Sequence, residues 1–131
     1  MGALGNASRG IHAQVTAMVA HYLSDSGLPV EPRPYKSTHG MKLSEALAVE
    51  LDDDLGGDLR GLDDAYAIVS SRGDRYRLST DLARARVGAD VAGKRTAVVV
   101  QWRGGQPVSE AFAVLSLADL TRLLGGNPPA P

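Results

Sequence analysis

Two short apolar runs, Ala65 to Ser71 and Thr96 to Trp102, constrain this chain more than anything else in it. Each has the length and composition of a strand, and the second contains Val98-Val99-Val100 with nothing to interrupt it. Between them, Ser79 stands as an N-cap before a helix predicted over Thr80 to Ala92, and Gly93 stands as its C-cap. A strand–helix–strand unit of this kind closes as a parallel pair with a right-handed crossover. The fold class is therefore α/β, a sheet with helices on its faces.

The flanking segments fit that frame. Ile11, Val15, Met18 and Tyr22 recur at intervals of four, three and four, which predicts a helix from Arg9 to about Ser24 with those residues on its apolar face. Gly27 closes it, and Pro29 prevents continuation. Leu28 to Pro34 carries three prolines and can be at most an edge strand or an extended segment. Tyr35 to Lys42 reads as a loop, and Leu43 to Leu51 as a short helix ended by Asp52-Asp53-Asp54. Asp58 to Leu62 is a short strand or strand end. Val108 to Leu115 is a strand that pairs back on the valine run, and Ser116 caps a last helix from Leu117 to Leu124. The division is a flexible arm over residues 1–8, one domain over 9–124, and a disordered Gly/Pro tail over 125–131.

Composition sets further bounds. The 131 residues suffice for one hydrophobic core, and with only 5% aromatic residues that core is built from Leu, Val, Ile and Ala. The formal net charge of −1 gives no overall basic excess of the kind nucleic-acid binders carry. With no cysteine there are no disulfides and no thiolate metal sites. No run reaches the length of a membrane span, and Met1 to Gly10 lacks the apolar core of a signal peptide, so a protein neither secreted nor membrane-bound is expected.

The order of elements, together with GDLRGLDD from Gly57, the strand AYAIVSSR, the helix ending in AGK, the strand TAVVVQWRGG and the closing AFAVLSLADLTRLL, resembles the phage Holliday-junction-resolvase-like branch of the PD-(D/E)XK nucleases. The resemblance runs over about residues 8 to 124. It implies a restriction-endonuclease-like mixed central sheet flanked by helices. It also implies a site in which a first-helix glutamate, the aspartate of the Gly-Asp pair and a Glu-x-Lys on the next strand hold Mg²⁺ and activate water. Glu and Lys two apart on a strand share a face, so both can reach one metal and one water.

Carried onto this chain, the aspartate position is Asp58. The glutamate and lysine positions are Ile68 and Ser70, and the first-helix position is Gln14, or Thr16 in another register. Isoleucine cannot ligate Mg²⁺, and a serine hydroxyl cannot stand in for a cationic lysine beside a phosphate. Asp58 is thus a remnant, and its other reading is a turn residue bonded to its own backbone. A migrated site would draw on Asp63, Asp64 or Asp74 with Lys94 or Arg72. His12, His21 and His39 read as surface histidines, and the three consecutive aspartates as a solvated acidic turn.

The expectation is a catalytically inactive nuclease-like domain without cofactor. It serves as a structural or protein-interaction module, a capsid-associated or minor head protein of a phage virion, in the virion or the host cytoplasm, with a protein partner or a second copy of itself. The alternative is a DNA-binding pseudonuclease using Arg72, Arg75, Arg77 and Arg84, or an Mg²⁺-dependent nuclease with a migrated site. Arg84 and Arg86, two apart on a helix, do not share a face.

Overall fold

The computed structural model describes residues 2–34, 40–72 and 77–130, with side-chain placement over 10–34, 40–48, 56–72 and 77–130. Among the described residues four α-helices and five strands follow in the order α1 (Gly2–Asp25), β1 (Glu31–Pro32), α2 (Leu43–Gly56), β2 (Leu59–Arg60), β3 (Ala65–Ser70), α3 (Leu78–Ala92), β4 (Thr96–Gln101), β5 (Phe112–Val114) and α4 (Leu117–Leu123). This is a mixed α/β chain.

The predicted unit is at its centre. β3 and β4 run parallel in strict register from Ala65 opposite Thr96 to Ser70 opposite Gln101, with α3 as the connection. β5 pairs antiparallel on the far side of β4, giving a three-stranded mixed sheet in the order β3-β4-β5. Alternation along the strands sends residues to two cores. Ala67 and Val69 pack with Val15, Val19 and Ala20 of α1 and with Leu59. Tyr66 packs with Ala85 and Ala89 of α3 and with Ala97 and Val99 of β4. The alanines at i and i+4 let α3 lie close on the sheet. A Cβ on Gly88 would fall 2.4 Å from the Tyr66 ring, so that position must stay bare.

Several boundaries differ from the sequence reading. The sheet is not a single one: β1 and β2 form a separate antiparallel pair, Glu31 opposite Arg60. α1 begins at Gly2, so the residues read as an arm continue the helix backbone. Its buried stripe is Val15, Thr16, Val19 and Ala20, while Ile11 is 52% exposed and Met18 and Tyr22 also face outward. The helix is therefore rotated from the apolar-face pattern, because β-branched and small residues fit against the sheet and the longer ones do not.

α2 runs on through Asp52 to Asp54 as far as Gly56. α3 starts earlier than expected, with Arg77 rather than Ser79 at the N-cap and no side chain capping it. Val108–Glu110 is a single 3-10 turn, so only Phe112–Val114 of the predicted last strand is strand. The Gly27, Gly93 and Ser116 signals hold. Gly27 and Gly93 take positive φ, and Ser116 Oγ accepts from Asp119 N–H at 3.1 Å. Among the described residues no helix is long and apolar enough to cross a membrane.

The chain reversal between β2 and β3 depends on Gly61, at φ +86°, where a Cβ would lie 1.9 Å from the Pro29 carbonyl oxygen. Gly93 also has positive φ, but a Cβ there would meet nothing within 4 Å. Gly93→Ala should thus cost only the backbone term, about 1 kcal/mol, and Gly61→Ala about 3 kcal/mol, since it adds a backbone clash. Urea denaturation of the two variants checks the difference.

Candidate functional site

The outer edge of β3, away from β4, is where the Gly-Asp segment meets the sheet. Asp58 N–H donates to the Ala67 carbonyl at 2.9 Å. The Asp58 carboxylate, through Oδ2, accepts Val69 N–H at 2.8 Å. His12 Nε2 lies 3.0 Å from the Val69 carbonyl oxygen and 3.4 Å from Asp58 Oδ2. A carbonyl only accepts, so Nε2 carries a proton in this arrangement. Arg33 completes the group: its backbone N–H donates to the Asp58 carbonyl at 2.8 Å, and its Nη1 stands 3.5 Å from Oδ1.

Both peptide groups of Val69 on this edge are therefore satisfied by side chains where another strand would otherwise pair. Asp58 is neither a self-bonded turn residue nor an open carboxylate. It ties β3 to the segments carrying Arg33 and His12. Gly57 precedes it at φ +70°, and a Cβ there would come within 2.8 Å of the Ala67 carbonyl oxygen, so the glycine allows the approach.

Electrostatics follow from burial and pairing. Asp58 is 6% exposed. Burial pushes its carboxyl up, but the hydrogen bonds from His12 and Val69 and the charges of His12 and Arg33 outweigh that, so it sits below the usual carboxylate value. His12 is raised above the ordinary imidazole value, chiefly by its hydrogen bond to Asp58, against the opposing effect of burial.

Asp58 and His12 form one wall of a cleft of about 490 Å³ at the carboxyl end of β3. Ile68 and Ser70 also line it, on the face of β3 toward α3, together with Arg72, Arg77, Asp81 and Arg84. A crevice outside the carboxyl ends of parallel strands is the usual ligand position in open α/β sheets. Asp81 is paired with Arg84 at 3.7 Å. Ser70 Oγ donates to the Arg72 carbonyl at 2.9 Å, which fixes the turn out of the strand.

The residues singled out from sequence distribute unevenly. Asp58, Ile68, Ser70, Arg72, Arg77 and Arg84 come together at the cleft. Gln14 is exposed and does not line it. Thr16, the alternative register, is fully buried under the sheet. Arg75, Asp74 and His39 lie outside the described residues. Asp63 and Asp64 are at the opposite end of β3: Asp64 pairs with Arg95, and the Asp63 carbonyl accepts from Lys94 Nζ, so neither joins Asp58. Arg86, as the two-residue spacing implies, turns away from Arg84 and meets Asp119 at 3.2 Å.

His12 and Arg33 are the residues the sequence reading missed. His21 is an exposed surface histidine paired with Asp25, but the His12 side chain is only 26% exposed. Its burial follows from the phase of α1: His12 lies three, four and seven residues before Val15, Thr16 and Val19, on the stripe that the helix buries.

These residues do not fit an Mg²⁺ site. One Asp58 oxygen accepts a backbone N–H, the other faces a guanidinium, and Ile68 and Ser70 supply no carboxylate beside it. Among the described residues no three His, Cys, Asp or Glu side chains cluster as metal ligands. Comparison with protein-family models, with curated proteins and with solved structures gave no match to this chain.

The ion pair makes stability depend on pH. Asp58, with its value lowered, contributes fully above the ordinary 3.8 and loses that contribution as pH falls through its depressed value. His12, with its value raised, contributes fully below the ordinary 6.5 and loses that contribution as pH rises through its elevated value. The stability difference between wild type and His12→Ala should thus be greatest between about pH 4 and pH 6.5 and shrink on both sides. Thermal melts of both proteins over pH check it. Asp58→Ala, which strands Val69 N–H, should cost about 3 kcal/mol and Asp58→Asn less, because the amide oxygen still accepts.

Proposed function

We propose that this chain is a catalytically inactive, nuclease-like domain of restriction-endonuclease-like descent that binds the phosphate groups of nucleic acid in the cleft beside Asp58. The observation that carries this reading is the convergence of Arg33, Arg72, Arg77 and Arg84, from three separate stretches of chain, on one concave site. Guanidinium groups recognise phosphate by charge and by their fork of N–H donors. The carboxylate at the metal position is used to hold the sheet edge, and its chemical partners are replaced by Ile68 and Ser70. Binding without cutting is what that residue set supports.

The test is fluorescence anisotropy with labelled DNA over a salt series. Wild-type protein should bind at low salt. Changing Arg72, Arg77 and Arg84 together to Gln should weaken binding at least about tenfold and flatten the slope of log affinity against log salt, by about one for each phosphate that is no longer neutralised. No binding at low salt would contradict the proposal. So would Mg²⁺-dependent cleavage of a four-way junction that Asp58→Ala abolishes.

A second reading, a protein-interaction module of a virion, draws on a different surface. Leu117 and Leu124 of the α4 region are 77% and 78% exposed, Leu123 is exposed beside them, and Phe112 lies half-exposed on the edge strand β5. Leu117, Leu123 and Leu124 lie within one short helix and its C-cap, and apolar side chains exposed close together favour association with protein. On this reading the chain is a dimer or is retained on assembled particles, and Leu117→Glu with Leu124→Glu abolishes both. Light scattering after size exclusion, and sedimentation with particles, measure it. A monomer that stays in the supernatant with or without the substitutions would end this reading.

A further inference from the structure

We propose that the cleft beside Asp58 takes the terminal phosphate monoester of a nucleic-acid strand rather than a run of internal phosphodiesters. The inference rests on the reading that the cleft binds nucleic-acid phosphate, and it names the group bound.

Charge balance carries it. The described cleft lining holds four arginines, Arg33, Arg72, Arg77 and Arg84, against two aspartates, Asp58 and Asp81, an excess of two positive charges to which His12 adds when protonated. The whole chain carries −1. Among the described side chains outside the cleft lining, seven lysines and arginines stand against eight aspartates and glutamates. A continuous strand or duplex is held by a basic track that follows several successive phosphates. Among the described side chains the basic excess is gathered in the cleft lining, and none continues beyond it.

A phosphate monoester suits that one place better than a diester. It carries about −1.5 to −2 charge near neutral pH and three strong acceptor oxygens, and an internal diester carries only about −1. An excess of at least two positive charges in one cleft matches the charge of a single dianion. The donors come from different directions: Arg33 from beyond β1, Arg72 from the end of β3, Arg77 and Arg84 from the start and middle of α3. Charged groups converging from several sides fit a compact anion better than a linear one. Asp81, paired to Arg84, holds that guanidinium near the cleft when no ligand is bound.

The test uses the full chain and one short single-stranded oligonucleotide in three forms, carrying a 5′-phosphate, a 3′-phosphate or hydroxyls at both ends. At about pH 7.5 and moderate salt, at least one phosphorylated form should bind at least about tenfold more tightly than the hydroxyl-ended strand. Inorganic phosphate should erode that advantage. Arg77→Gln and Arg84→Gln, substitutions of exposed side chains, should each reduce the advantage while the circular dichroism spectrum stays as in wild type and both variants remain folded at the assay temperature. Equal binding of all three forms would overturn this inference and leave phosphate-backbone binding standing. Failure of every form to bind would overturn both. A phosphorylated-end advantage that persists unchanged in both variants would also overturn the assignment to this cleft.

Discussion

A strand at the margin of a sheet leaves backbone groups that water or some other partner must satisfy, and here β3 has that problem on the side away from β4. The chain solves it with two side chains and one peptide. Asp58 gives its own N–H to Ala67 and takes the Val69 N–H on its carboxylate, and His12 donates to the Val69 carbonyl. The arrangement fixes where α1 lies on the sheet, because His12 belongs to it. Through Arg33 it also fixes the segment after β1. Those contacts form one wall of the cleft, so the shape of the cleft depends on the satisfaction of that edge. Asp119 does the same at β4: it is 2% exposed, accepts the Ala97 N–H at 3.1 Å, and is neutralised by Arg86 and Arg122. Two buried aspartates, each accepting a strand N–H and each flanked by cations, hold the helices to the sheet.

That use of Asp58 bears on chemistry. One oxygen of that carboxylate accepts a backbone N–H and the other faces a guanidinium, so a divalent cation would have to compete with the charge of Arg33 to reach it. Ile68 and Ser70, which line the cleft with it, bring no carboxylate of their own. What the cleft keeps is positive charge, and on our proposal that charge is what its ligand meets.

Much of the centre of the fold was legible in the sequence because its signals are local. The valine run of β4, the Ala65–Ser70 strand, the intervening helix with its Gly93 cap, and the Ser116 cap of α4 each depend on neighbouring residues alone. The phase of α1 was not legible, since Ile11, Met18 and Tyr22 form an apolar pattern as good as the buried one. Only contact with β3 decides that Val15, Thr16 and Val19 go inside. The split into two sheets depends likewise on how far β2 reaches, and α2 tolerates three consecutive aspartates that read locally as a break. At the site, Asp58, Ile68 and Ser70 could be placed by counting along the chain. His12 and Arg33 could not, because they reach Asp58 from 46 and 25 residues away in sequence, and nothing near either of them points to a carboxylate.

The sheet edge and the cleft wall both depend on the Asp58 carboxylate being committed to Val69 N–H. Amide NMR of the wild-type protein during a titration with millimolar Mg²⁺ measures this directly. We predict a Val69 amide that is strongly protected from exchange, shifted downfield by its charged acceptor, and unmoved by the metal. A saturable Mg²⁺-dependent shift of the Val69 and Asp58 amides, with loss of protection at Val69, would show the carboxylate turning to a cation and would contradict the account.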